Sequence, residues 1–228
     1  MFAACHLLLG LIIGLALAGR LGDRRLIGLC AFGAILPDLI DKPVGHILLA
    51  GSLDSGRIFA HGLLFLALLL ALGIVLRQRR GSFGLIAVAV GAFSHQVIDT
   101  MWAIPVTWYF PLLGPYRPYD TTDYFGNAIL AEASSLSEWV FLIASAGIAL
   151  AVYRDSRPDL TRFARPLVRV AVPLLLALTI ASLYAWAAGI PESVLMAGGG
   201  EEDYLVLAAV GAAGAVGMVR YRDLLSAG

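Results

Sequence analysis

Apolar runs approaching the length needed to cross a bilayer recur from one end of this chain to the other. In hydrocarbon, every backbone N–H and C=O must find its partner within the protein, so such runs fold as helices packed side by side. Seven segments can be drawn, at about 4–19, 26–40, 58–76, 83–101, 128–152, 167–189 and 203–219. Of 228 residues 60% are hydrophobic and the mean hydropathy is +0.85. Only 14% are charged, against roughly 25% in an ordinary soluble domain. The expected fold is an all-α, polytopic membrane helical bundle with about seven transmembrane helices. Residues 1–228 are read as a single membrane domain, with 1–152 a five-helix core and 153–228 two scaffold helices. The first segment ends in Ala16-Leu17-Ala18, which resembles a cleavage site, but it lacks the basic stretch of a signal peptide and is read as a retained helix. Cys5 and Cys30 have no CxxC spacing and imply no disulfide framework. Zero net charge gives no argument for a nucleic-acid partner.

Basic residues orient the bundle. Arg20, Arg24 and Arg25 follow the first segment, Arg77, Arg79 and Arg80 the third, Arg154 to Arg169 the fifth, and Arg220 and Arg222 the seventh. With seven spans these all fall on one side, and only Lys42, Arg57 and Arg117 fall on the other. The positive-inside rule then places the N-terminus outside a plasma membrane and the C-terminus in the cytoplasm.

On that topology all four histidines lie at the extracytoplasmic side, with three aspartates beside them. They are His6, His46, His61 and His95, with Asp38, Asp41 and Asp99. Histidine and carboxylate are the ligand set of hydrolytic metal sites. His95 and Asp99 form H-x-x-x-D, and on a helix residues i and i+4 share a face. The same spacing also serves as a plain hydrogen-bonded pair. Asp38 and Asp41 follow Leu36-Pro37, as helix-end residues or as a paired carboxylate able to bridge two metals. Glu138 sits deep in an apolar run, where an ionisable group is costly and usually functional. It is a candidate ligand or general base. Arg57 and Arg117, outside against the bias, suit bidentate phosphate binding, or salt bridges to acidic loops. His46 lies in a loop and is the weakest candidate.

The order of these motifs resembles the family of membrane-bound metal-dependent hydrolases. The elements are His6, Leu36-Pro37-Asp38 with Asp41, Arg57 with His61, Ser94-His95 with Asp99, and the aromatic stretch ending Phe110-Pro111-Leu112. The family pattern reads H-R-G-x-T-H-S before the third helix, where this chain has Gly56-Arg57-Ile58-Phe59-Ala60-His61-Gly62, and P-D-x-D where this chain has two residues between Asp38 and Asp41. A more distant similarity is to zinc-dependent phospholipase C and single-strand nucleases, whose ligands run His, Asp, His, H-x-x-x-D in the same order. Their later H-x-x-x-E/D pair is absent, since no His follows His95.

The expected function is therefore a membrane-embedded metal-dependent hydrolase of a phosphoester, a phospholipid among the candidates. One or two divalent ions, zinc first, would be held by His6, Asp38, Asp41, His61, His95 and Asp99. Asp41 and Glu138 are the catalytic candidates, and Arg57 and Arg117 the substrate-binding ones. A metal-ion or proton transporter, or a non-catalytic structural protein, are the alternatives. The inner halves of the helices are nearly all apolar, which favours an enzyme over a conduit.

Overall fold

The structure, a computed structural model, describes residues 3–116, 118, 123–153, 161–190, 195–197, 201–222 and 225. Within them the chain is all helix and loop. The helices are α1 (Ala3–Leu21), α2 (Arg25–Pro43), α3 (Leu63–Arg80), α4 (Gly84–Ile98), the short α5 (Pro105–Trp108), α6 (Tyr124–Ser134), α7 (Leu136–Val152), α8 (Thr161–Ala187) and α9 (Glu201–Arg220). A π-helical turn, Val44–Leu48, continues α2.

The Leu- and Ala-rich α1 is a strong helix former. It ends where Gly22 takes a left-handed φ of 72° and its N–H bonds back to the Ala18 carbonyl at 2.9 Å. It packs against α2, α4, α7 and α9, so it is buried on nearly every side. Leu8, Leu11 and Leu15 meet Phe141 and Ile148 of α7, Leu175 of α8 and Leu207 of α9 in the main core. Leu64, Leu68 and Leu72 of α3 and Ile180 and Leu183 of α8 stay exposed, as lipid-facing side chains do.

The seven-span expectation is corrected. Among the described residues three helices are long and apolar enough to cross a membrane: Ala3–Leu21, Phe163–Ala187 and Asp203–Arg220. A fourth span exists if Tyr124–Ser134 and Leu136–Val152, bent by 77° at their junction, count as one. The other segments are helical but carry charge or lack length. Asp38, Asp41 and Lys42 occupy the last turns of α2, and Arg77, Arg79 and Arg80 those of α3. The apolar α4 has 15 residues, about 22 Å at 1.5 Å per residue. The orientation of the termini, drawn by alternating seven spans, falls with that count. The expected third segment also starts late, since α3 begins at Leu63 and residues 58–62 form a loop.

Two close approaches matter for the site, α1 on α2 and α4 on α2. At Gly91 a Cβ would run into the Cys30 carbonyl oxygen and lie 2.7 Å from the Ala34 backbone nitrogen. The bare glycine lets α4 lie directly on the α2 backbone, with His95 one turn further on. Gly91→Ala is expected to destabilise the fold by about 1–3 kcal/mol, because backbone cannot yield as a side chain can. Thermal unfolding in detergent reads this directly. Gly51→Ala, whose added Cβ would meet nothing within 4 Å, is the control expected to melt like wild type.

Candidate metal centre

The centre lies where α1, α2 and α4 meet the loop leading into α3. Asp41, fully buried, turns into that loop. Its carboxylate accepts from the backbone N–H of Ile58 at 2.9 Å, Ala60 at 2.9 Å and His61 at 3.1 Å, and from His61 Nδ1 at 2.7 Å. Gln96, beside His95 on α4 and also fully buried, holds the other edge of the loop. Its amide donates to the Ala60 and Gly62 carbonyls at 3.2 and 3.3 Å and accepts from Trp108 Nε1 at 3.1 Å. A loop whose backbone groups are satisfied by buried side chains is a fixed platform, and it presents His61.

His95 is fixed from the opposite side. The Ala34 carbonyl of α2 accepts from His95 Nδ1 at 2.7 Å. A carbonyl can only accept, so Nδ1 of His95 carries the hydrogen. The Asp41 carboxylate imposes the same tautomer on His61. In the neutral imidazoles both Nε2 atoms then present lone pairs, and they face each other at 3.0 Å. Lone pairs converging at that distance repel unless a proton or a cation lies between them.

Carboxylates close around these nitrogens. Asp38 Oδ1 lies 3.6 Å from His61 Nε2 and 3.7 Å from His95 Nε2. Asp99 Oδ2 lies 3.9 and 3.8 Å from the same two atoms. The His6 ring stacks on His95 with centroids 3.9 Å apart, and its Nε2 lies 3.2 Å from Asp99 Oδ1. Neither His6 nitrogen has hydrogen-bonding geometry to a protein partner, although the residue is 1% exposed. Among the described residues two groups could chelate a metal ion: His6, Asp38 and His95, and His61, His95 and Asp99, each with ligand atoms within 4.8 Å of one another. His95 belongs to both.

Two cations back the carboxylates. Lys42 Nζ donates to Asp38 Oδ2 at 2.6 Å, and Arg57 Nε donates to Asp99 Oδ2 at 2.9 Å, with Nη2 2.9 Å from the same oxygen as an ion pair. Burial disfavours the Arg57 charge, but the neighbouring Asp99 carboxylate outweighs it and raises the guanidinium pKa. A cavity of about 420 Å³ opens beside the cluster, lined by Asp38, Lys42, His46, Arg57, Asp99 and Tyr124 among others. That volume lies in the range of small-molecule sites.

Of the residues expected from sequence, His6, Asp38, His61, His95 and Asp99 converge. Asp41 stands behind His61 with its lone pairs already engaged. Glu138 is placed elsewhere, at the N-terminus of α1, where it accepts from the Ala4 N–H at 2.8 Å. Glu132 accepts from Ala3 N–H at 3.1 Å beside it. Carboxylates suit that helix end electrostatically, and neither belongs to the chelating groups among the described residues. Arg117 lies outside the described residues. Sequence reasoning missed Lys42, Gln96 and Tyr124. Lys42 was detectable, being the chain's one lysine and four residues after Asp38.

The fold and the cluster together define an all-α integral membrane protein with buried histidines and aspartates arranged to hold a metal ion. Residues 1–188 match the model of the family described as YdjM inner membrane protein, and the chain belongs to that family. No curated protein and no solved structure matches it. The likeness to phospholipase C and single-strand nucleases thus rests on motif order alone.

Proposed function

We propose that the chain is a membrane-embedded, metal-dependent hydrolase of phosphoesters, and that its ion is zinc. The observation that carries this reading is the pair of bare Nε2 atoms 3.0 Å apart, each held in that tautomer by a partner on Nδ1. Histidine ligands with a carboxylate or carbonyl behind them are the usual construction of a metal site. The Nε2 atoms of His61 and His95 are 3.0 Å apart, and each lies 3.6 to 3.9 Å from an Asp38 and an Asp99 oxygen. A tetrahedron of donors about 2.0–2.2 Å from zinc has edges of roughly 3.3–3.6 Å. His6, buried and with its Nε2 3.2 Å from Asp99 Oδ1, is a further donor for the same ion or a second one.

We assign His6, Asp38, His61, His95 and Asp99 as ligands. Asp41 positions His61. Glu138 orients α1, and through it His6. Three carboxylates against two side-chain cations leave one net negative charge around the histidines. A divalent ion reverses that sign and suits the site to an anionic ester. When bound, the ion supplies a Lewis acid and an acidified water at neutral pH. Lys42 and Arg57 keep Asp38 and Asp99 ionised and line the cavity where a phosphate would lie. A cavity at the end of apolar helices is at headgroup depth, which supports a phospholipid substrate.

The cluster sits at the ends of α1 and α2 opposite Arg20, Arg24 and Arg25. That supports an extracytoplasmic site. Labelling of Asn127→Cys by an impermeant thiol reagent in intact cells tests the side, and labelling only after lysis would overturn it.

The main test is metal removal and return. Purified protein reconstituted with zinc, manganese or nickel should retain a stoichiometric ion through dialysis and hydrolyse bis(para-nitrophenyl) phosphate. Chelation should abolish the activity and re-addition restore it. Absence of a stoichiometric ion under all three conditions rules the reading out.

A further inference from the structure

A second histidine–aspartate pair faces the same cavity. His46, on the π-helical turn after α2, donates from Nδ1 to Asp54 Oδ1 at 2.8 Å. Its ring stacks on Tyr124 of α6, with centroids 3.7 Å apart and planes at 12°. Its side chain is only 4% exposed. Nε2 is out of solvent and has no hydrogen-bond partner. A buried polar atom left in this way is costly and calls for an explanation in a ligand or a catalytic role.

The surroundings keep room at that atom. A Cβ on Gly56 would lie 2.9 Å from His46 Nε2 and 3.3 Å from Lys42 Cγ. Lys42 is the residue that donates to Asp38, so the space at Nε2 adjoins the cluster. Asp54 holds its place with a left-handed φ of 43°, a conformation that suits Asp and Asn. One carboxylate thus fixes the ring tautomer and an aromatic face fixes the ring plane, at the wall of the cavity that Asp38 and Asp99 also line.

We propose that His46, oriented by Asp54, is the general acid that protonates the leaving group of the phosphoester. The inference rests on the hydrolase reading and adds a residue to it. Water oxygen bonds to phosphorus as the bond from phosphorus to the leaving oxygen breaks. The electron pair of the broken bond stays on that oxygen, which takes the proton from His46 Nε2. The proton lost by the attacking water returns through solvent to His46. The two protons balance, and no oxidant or co-reactant is needed. Asp54 stabilises the imidazolium and does not itself transfer a proton.

The test compares two diesters. Para-nitrophenolate leaves without protonation, whereas the alkyl alkoxide of dihexanoyl phosphatidylcholine does not. His46→Gln is expected to slow turnover of the lipid by about 10²–10⁴-fold and of bis(para-nitrophenyl) phosphate by less than about tenfold. Asp54→Asn should follow the same pattern with a smaller loss, since Asn tolerates the left-handed backbone. Both variants should retain the wild-type metal content. Nitrogen-15 NMR of labelled histidine in the metal-free protein should show the Nδ1–H tautomer of His46 in wild type and its loss in Asp54→Asn. Equal losses on the two substrates, no loss on either, loss of metal, or an unchanged tautomer in Asp54→Asn each overturn the proposal. Metal-loaded wild type that hydrolyses neither diester instead overturns the hydrolase reading beneath it.

Discussion

His95→Ala is expected to strip the protein of stoichiometric metal while leaving it helical. His95 Nε2 is the one donor common to both chelating groups, so its loss removes a ligand from each. The affinity loss should exceed the roughly 10–100-fold that follows removal of an outer-shell partner. Stability supplies an independent readout. Ligand at a hundred times its Kd raises folding stability by about 2.7 kcal/mol, so wild type should melt higher with zinc than without, and His95→Ala should not. The substitution also deletes the bond to the Ala34 carbonyl and empties ring volume against His6, so the metal-free variant should melt somewhat below metal-free wild type. Circular dichroism separates that packing loss from unfolding. Retention of a stoichiometric ion by the variant would place the metal elsewhere.

Much of the cluster was legible in the sequence because its parts obey short-range rules. His95 and Asp99 share a helical face by spacing alone, and Asp38 with Asp41 stood out as paired charge closing an apolar helix. What spacing cannot tell is which way each side chain turns. Asp38 points at the histidine nitrogens and Asp41, three residues on, points into the loop that carries His61. Local pattern treats the two alike. Glu138 was singled out because charge in an apolar run usually means chemistry. Its partner is the exposed N–H row at the start of α1, more than a hundred residues away in the chain, and no local pattern records that meeting. His46 reads in sequence as a loop histidine, because Asp54 and Tyr124 reach it only through the fold.

The fold was legible in class and not in count. Hydropathy reports that a helix avoids water; it does not distinguish lipid from protein as the alternative. Cys30 and Ala34 of α2 and Ala87, Val88 and Ala92 of α4 are buried by neighbouring helices, so their apolar character reflects helix-to-helix packing. Such helices read as spans by composition while being too short or too charged at their ends to qualify. The bend between α6 and α7 is likewise invisible to an apolar run that continues through it.

Asp41→Ala is expected to be the most destabilising change near the centre, and to act through the loop more than through the metal. The carboxylate satisfies three backbone N–H groups and one imidazole N–H in a site with no solvent access. Each buried donor left without an acceptor costs about 1–3 kcal/mol, and breaking a buried charged network costs about 3–5 kcal/mol. The loop would detach, and His61 with it. Asp41→Asn keeps the shape but offers one acceptor oxygen and turns an amide N–H₂ toward donors, so it should melt between wild type and Asp41→Ala. The comparison that decides the role is Asp38→Asn. Asp38 is bound on one oxygen by Lys42 and has its other oxygen toward the histidines, so its neutralisation should cost metal while shifting the metal-free melting point far less. A metal-free Asp41→Ala protein that melts like wild type would mean that the loop holds its place without the carboxylate. Equal melting shifts in Asp38→Asn and Asp41→Asn would erase the distinction between ligand and positioning residue, because only a group that anchors backbone should matter when no ion is bound.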